Sequence, residues 1–191
     1  DSGKIANKYK DVLIHNEIEW EEGGHTESEI LTADLVIKSP GIPDHVSIVQ
    51  KLQSATIPVV SEIEFAALFT TANIIGITGS NGKTTTTMMV YHILRQSGFD
   101  VAMGGNIGKS FAEQVLTNTA NYVLELSSFQ LDGIQDFRPH IAVITNITPD
   151  HLDRYDYNFE NYITSKFRIV MNQTSDDYLL YDSDDEVITS Y

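Results

Sequence analysis

Three features of the sequence predict an α/β fold with a mostly parallel sheet. Short apolar runs alternate with amphipathic stretches along most of the chain, the pattern left by β/α repetition. The segment Gly79-Ser80-Asn81-Gly82-Lys83-Thr84-Thr85 sits between a buried-type strand and a helix. Later apolar runs end in polar groups, Glu125 and Asn146 among them, as expected of strands that deliver functional side chains to one edge of a sheet.

Taken in order, residues 12–15 and 35–37 read as strands. Asp44 is placed to cap a helix through about residue 55, with Val46, Val49 and Leu52 as its apolar stripe. Pro58 opens a short strand, and residues 63–69 read as a helix. Ala72-Asn73 is the expected domain boundary, giving domains over 1–72 and 73–191. Ile74-Ile75-Gly76-Ile77-Thr78 is a strand, and Lys83 begins a helix that Gly98 stops. A strand near Val101, a helix over 109–116 and strands over 122–126 and 140–147 follow. The loop Gly104-Gly105-Asn106-Ile107-Gly108 is expected after the strand near Val101 and does not match a dinucleotide-binding glycine pattern. Asn158 caps a helix to about residue 171, residues 178–181 form a strand, and a last helix starts at Asp184.

Composition narrows the function. Apolar residues make up 41% and charged residues 20%, ordinary values for a globular protein. The formal net charge of -15 repels phosphate backbones, so nucleic acid is not an expected partner. A local nest of backbone N–H groups binds a nucleotide's phosphates whatever the global charge. Cysteine is absent, which excludes a thiol nucleophile and a zinc-thiolate site and fits a reducing compartment. No apolar run reaches the ~18 residues of a membrane span. The chain begins at Asp1, and its first part starts abruptly, as though an earlier β/α unit were missing.

The glycine-rich segment carries the sharpest chemistry. Glycines let backbone N–H groups turn towards phosphate oxygens, and the following helix adds a favourable dipole. Lys83 would neutralise the β- and γ-phosphates, and Thr84 would offer its hydroxyl to Mg²⁺. The usual first glycine of such loops is replaced by Ile77. Glu125, at the end of the strand Tyr122-Val123-Leu124, falls at the same sheet edge and can reach that metal. His151 follows the strand ending Asn146-Ile147; it is either a metal or substrate ligand or an ordinary loop histidine. Lys166 shares a helix face with Phe159, Ile163 and Val170. It either snorkels to solvent or points into the site with a lowered pKa.

In order and separation these motifs resemble the Mur ligase family of ATP-dependent amide-bond ligases, whose own variant phosphate loop has the form Thr78 to Thr85. Gly104 to Gly108, Glu125-Leu126-Ser127-Ser128-Phe129-Gln130-Leu131 and Asp150-His151-Leu152-Asp153-Arg154-Tyr155 resemble the branch that adds D-glutamate. Ser39-Pro40-Gly41-Ile42-Pro43 resembles a substrate loop of the first domain. Sibling ligases and folylpolyglutamate synthase share the phosphate loop but differ after the glutamate, and the guanine-reading motif of GTPases is absent.

The resemblance implies a partial Rossmann-like N-terminal domain that binds a UDP-linked substrate, followed by a truncated central ATPase domain of the P-loop type. It implies joining of D-glutamate to UDP-N-acetylmuramoyl-L-alanine through an acyl phosphate, in the cytoplasm, by a monomer acting in peptidoglycan precursor synthesis, away from membranes and nucleic acid. ATP is bound by Gly79, Ser80, Asn81, Gly82, Lys83, Thr84 and Thr85. One Mg²⁺ is held by Thr84 and Glu125. A second is held by His151 and a carbamylated Lys166, and Lys83, His151 and Lys166 are the catalytic residues. Asn106, Ser127, Gln130 and His151 match positions near the muramoyl-alanine end of the substrate, and Ser2 with Ser39, Pro40, Gly41 and Ile42 match positions near the UDP end. The family has three domains, so this piece alone is not expected to ligate D-glutamate; a non-catalytic nucleotide-binding module remains a rival description of it.

Overall fold

The structure, a computed structural model, describes residues 3–191; Ser2, matched above to the UDP end, lies outside the described residues. The chain divides into two compact units. The first comprises residues 3–36 and 44–59 and contains α1 (Asn7–His15), α2 (Glu27–Ile30), the beginning of β1 (Val36–Ile37), α3 (Ser47–Ser54) and the beginning of β2 (Val59–Val60). Residues 12–15, expected as a strand, are the last turn of α1. Three contiguous apolar residues do not distinguish helix from strand, and here local bonds win, as where the Asn16 N–H donates to Val12 O at 3.1 Å. The strand expected over 35–37 forms as β1 and pairs with β2. Helix α3 buries Val49 and Leu52, but it starts after Val46, so Asp44 is not its cap.

The second unit comprises Ile37–Pro43 and Val60–Tyr191, so residues 60–72, which precede the boundary expected at 72/73, are packed within it. Its elements are α4 (Glu62–Ala67), β3 (Asn73–Thr78), α5 (Lys83–Gln96), β4 (Val101–Gly105), α6 (Phe111–Val115), β5 (Asn121–Glu125), α7 (Ser128–Leu131), β6 (Ile141–Ile144), α8 (Phe159–Phe167), β7 (Tyr178–Tyr181) and α9 (Glu186–Ser190). All five strands from β3 to β7 are parallel, in the order β4-β5-β3-β6-β7. From β3 the chain turns towards β5 and β4, and from β6 it turns towards β7. The carboxyl ends of β3 and β6 therefore flank the crevice where such sheets bind ligands. Tyr122, Leu124, Ala142 and Ile144 from the strands pack with Phe111, Leu131 and Tyr162 in one buried cluster. Ile77, which stands where phosphate loops commonly have glycine, is wholly buried in β3, so the strand needs an apolar side chain there.

Two expectations change in this unit. Gly104 and Gly105 belong to β4 rather than to the loop after it, because both pair with β5. Strand β6 ends at Ile144, three residues before the expected limit, and frees Thr145, Asn146 and Ile147 for other bonds. The helix capped by Asn158 is regular to Phe167 and continues as one tighter turn to Val170.

Candidate active site

The phosphate loop leaves β3 and is fastened to the exit of β6. The Ser80 N–H donates to Asn146 O at 2.9 Å, and the Asn81 N–H donates to Asn146 Oδ1 at 3.0 Å. Asn81 O accepts from Thr145 Oγ1 at 2.6 Å and from Asn146 Nδ2 at 2.9 Å. The Ser80 hydroxyl donates to Thr148 O at 2.8 Å and accepts the Thr148 N–H at 2.9 Å. Gly79 adopts φ +146, and a Cβ there would lie 1.9 Å from Thr145 Oγ1, so the position admits glycine alone. Helix α5 begins after Gly82 with no side chain bonded to its first turn. The other α-helices of this unit are capped by Ser61, Ser110, Ser127, Asn158 and Asp185. The first-turn N–H groups of α5 are thus available to an anion, which the helix dipole also favours.

Two ammonium groups converge on this loop. Lys83 Nζ donates to Gly79 O at 2.9 Å and to Ser80 O at 3.1 Å. Lys166 Nζ donates to the same Gly79 O at 2.7 Å and lies 4.6 Å from the centre of the Tyr162 ring. Lys166 is 2% exposed, so it does not snorkel; α8 aims it inward. Burial, and then the neighbouring Lys83 charge, push its pKa down to about 7. Tyr162 reaches the loop as well, with its hydroxyl 3.1 Å from Ser80 Oγ.

Glu125 closes β5 and is also 2% exposed. Its Oε2 accepts from the Thr84 hydroxyl at 2.7 Å and its Oε1 from Asn106 Nδ2 at 2.8 Å. Both donors are neutral, so a buried negative charge sits beside a hydroxyl oxygen at a helix N-terminus. That donor set fits a hard divalent cation. Asn106 is brought there by Gly105, which has φ +98 and would place a Cβ 2.3 Å from Glu125 O. Among the described residues no three His, Cys, Asp or Glu side chains cluster as a ready-made metal cage. An ion at Thr84 and Glu125 would therefore complete its shell with water or phosphate oxygens, as Mg²⁺ commonly does.

A cavity of about 200 Å³ joins seven of the expected residues: Pro40, Gly41, Lys83, Asn106, Ser127, His151 and Lys166 line it, with Phe129, Asp150 and Tyr162. His151 has φ +50 and an exposed side chain, with its ring centre 5.3 Å from that of Phe129. Ser39, Ile42 and Gln130 do not line the cavity. Gln130 closes a capping box: its Oε1 accepts the Ser127 N–H at 3.0 Å while its own N–H donates to Ser127 Oγ at 3.3 Å. Sequence reasoning missed Tyr162, although its spacing of four from Lys166 puts both on one helix face. It also gave no role to Arg154, whose partners are distant in sequence. A second cavity, of about 320 Å³, opens at the other end of β3, near Glu64, Ile74 and His140. There the polar groups satisfy backbone: His140 Nδ1 accepts the Ile74 N–H at 3.2 Å.

Comparison with known proteins gives the family. The sequence model for the Mur ligase middle domain matches residues 77–191, and that for the MurD N-terminal domain matches residues 1–48. The chain is 61% identical over 192 residues to a UDP-N-acetylmuramoylalanine--D-glutamate ligase of Christiangramia forsetii, covering 100% of this chain and 43% of that protein. It is 55% identical over 189 residues to the ligase of the same name from Bacteroides thetaiotaomicron, covering 98% and 43%. The chain thus spans 43% of the length of these curated relatives. In fold it is similar to the UDP-N-acetylmuramate:L-alanyl-gamma-D-glutamyl-meso-diaminopimelate ligase of Neisseria meningitides, with a TM-score of 0.63 at 17% identity, covering 98% of this chain and 64% of that one.

Proposed function

The chain belongs to the Mur ligase family, and we propose that it forms the ATP-binding part of a ligase that joins D-glutamate to UDP-N-acetylmuramoyl-L-alanine in peptidoglycan precursor synthesis. The observation that carries this reading is the convergence of Lys83 and Lys166 on the Gly79 carbonyl, beside the Thr84–Glu125 pair and the uncapped start of α5. A carboxylate is a poor electrophile at neutral pH. Transfer of the γ-phosphoryl group of ATP to the L-alanine carboxylate gives an acyl phosphate. The D-glutamate amine then attacks the acyl carbon, and phosphate leaves.

The residues divide this work. Residues Gly79 to Thr85 hold the phosphates, with the N–H groups at the uncapped start of α5 as donors while those of Ser80 and Asn81 fasten the loop to Asn146, and Lys83 exchanges its two carbonyl partners for phosphate oxygens. Thr84 and Glu125 hold Mg²⁺, which when bound offsets the repulsion among the phosphate and carboxylate oxygens. His151 and Lys166 hold a second ion, with the lysine as a carbamate; reaction with CO₂ requires the neutral amine that burial favours. Asn106 and Ser127, on the cavity wall, meet the muramoyl-alanine end of the substrate, and Ser39, Pro40, Gly41 and Ile42 meet its nucleotide end. Gln130 contributes by holding Ser127 in place. The partners are small molecules and the protein is a cytoplasmic monomer; no described helix is long and apolar enough to cross a membrane.

The test is single-turnover phosphate release from ATP in a full-length ligase carrying this sequence. Release should depend on UDP-N-acetylmuramoyl-L-alanine and should fall roughly a thousandfold in Lys83→Ala, because that charge strengthens its contact as the phosphoryl group moves. Release that ignores the muramoyl substrate, or a near wild-type rate in the variant, would sink the reading.

A further inference from the structure

We propose that Arg154 is the positioning residue that seats the turn at residues 39–42 on the candidate site. This role rests on reading that turn as part of the substrate site. Arg154 Nη1 donates to Gly41 O at 2.9 Å and Nη2 donates to Pro40 O at 3.1 Å. Two parallel donors from one planar fork fix the orientation of a partner as well as its distance, which a single ammonium cannot do. The guanidinium carbon also lies 4.5 Å from the centre of the Phe129 ring, and Phe129 in turn contacts His151. Arg154 ends the tight turn Leu152–Arg154 that starts at His151, and its N–H donates to His151 O at 3.0 Å. One short turn therefore places both a cavity-lining histidine and the arginine that grips the turn.

The grip has a consequence for what the turn presents. Ser39 O accepts the Ile42 N–H at 3.0 Å, and Ile42 O accepts from Lys38 Nζ at 2.6 Å. With Arg154 on Pro40 O and Gly41 O, four successive carbonyls are supplied with donors by the protein itself. Across a planar trans peptide the C=O and N–H point in opposite directions. Fixing Pro40 O on Arg154 thus turns the Gly41 N–H to the opposite side. Pro40 and Gly41 both line the cavity, so the grip fixes the wall that an oxygen-rich anionic ligand such as a nucleoside-diphosphate sugar would meet, with the Gly41 N–H as the one backbone donor of residues 40–42 not given to Ser39 O.

The test compares Arg154→Ala and Arg154→Lys. In a full-length ligase carrying this sequence, the alanine variant should raise KM for UDP-N-acetylmuramoyl-L-alanine about tenfold, with the lysine variant between it and wild type. KM for ATP and kcat should stay within about twofold. In the 191-residue chain, hydrogen exchange of the peptide spanning residues 38–43 should speed up in both variants while β3 and β5 keep wild-type rates. Unchanged exchange at 38–43, exchange that also accelerates in β3 and β5, or an equal rise in KM for both substrates would each overturn the proposal. A wild-type enzyme without muramoyl-dependent turnover would defeat the proposed function instead, and the exchange comparison would still decide whether Arg154 holds the turn.

Discussion

Glu64 and Glu125 are both buried acids of the same unit, 5% and 2% exposed, and they are held in opposite ways. Glu64, near the amino end of β3, accepts three backbone N–H groups, from Gln135 and Phe137 at its Oε2 and from Asp136 at its Oε1, at 2.8 to 3.0 Å. Glu125, at the carboxyl edge, accepts from two neutral side chains, Thr84 and Asn106. Backbone donors cannot rotate away, so Glu64 is committed to the fold. A hydroxyl and an amide can turn to other partners, so Glu125 can be released to a cation without breaking secondary structure. Burial of an acid does not by itself mark a functional site; the replaceability of its partners does.

The same substitution at both positions should break the symmetry. In a full-length ligase, Glu125→Gln should lower the rate of ATP-dependent phosphate release by about a hundredfold or more, because the charge facing the metal is gone. Its unfolding free energy should change by less than about 1 kcal/mol: the new amide can donate to Thr84 Oγ1 while its oxygen keeps Asn106. A large loss of stability here would mean that Glu125 is as structural as Glu64. Glu64→Gln should instead destabilise the chain by about 1–3 kcal/mol, since an NH₂ group then meets the Asp136 N–H. Denaturant titration that finds the two variants equally stable would erase the distinction.

Lys166 sharpens the contrast from the side of the bases. Its pKa is lowered from 10.5 to about 7 in the folded chain. Between those values the unfolded chain binds more protons, so the contribution of this group to stability rises with pH there, by up to about 1.4 kcal/mol per pH unit. Below about pH 7 both states are protonated and the slope vanishes. Metal-free wild type should therefore gain stability relative to Lys166→Met between pH 7 and pH 9. Parallel stability curves would show a lysine that stays charged.

What the sequence made legible follows the range of the forces involved. The strand Ile74 to Thr78, the loop after it and helix α5 are encoded by adjacent residues, and all three form where expected. Glu125 was readable for the same reason, because a run of apolar residues ends at it. Residues 12–15 were misread because three apolar residues carry no period of their own. Gly104 and Gly105 were misread as loop because glycine is a poor strand former; their place in β4 is imposed by pairing with β5. Arg154 and the turn at 39–42 meet across 113 and 114 residues, and Tyr162 and Ser80 across 82. Packing alone creates such contacts, so no local motif announces them.

The tight fits at Gly79 and Gly105 bear on how such a site can change over generations. A methyl group at either position would collide with Thr145 or with the backbone of Glu125. Neither position can therefore accumulate neutral variation and later be recruited to a new specificity. Descendants of this sequence that accept different substrates must arise by changes elsewhere, on side chains with room around them, such as Asp150 on the cavity wall. The nucleotide chemistry is inherited as a fixed block, and the choice of what is joined is left to the residues around it.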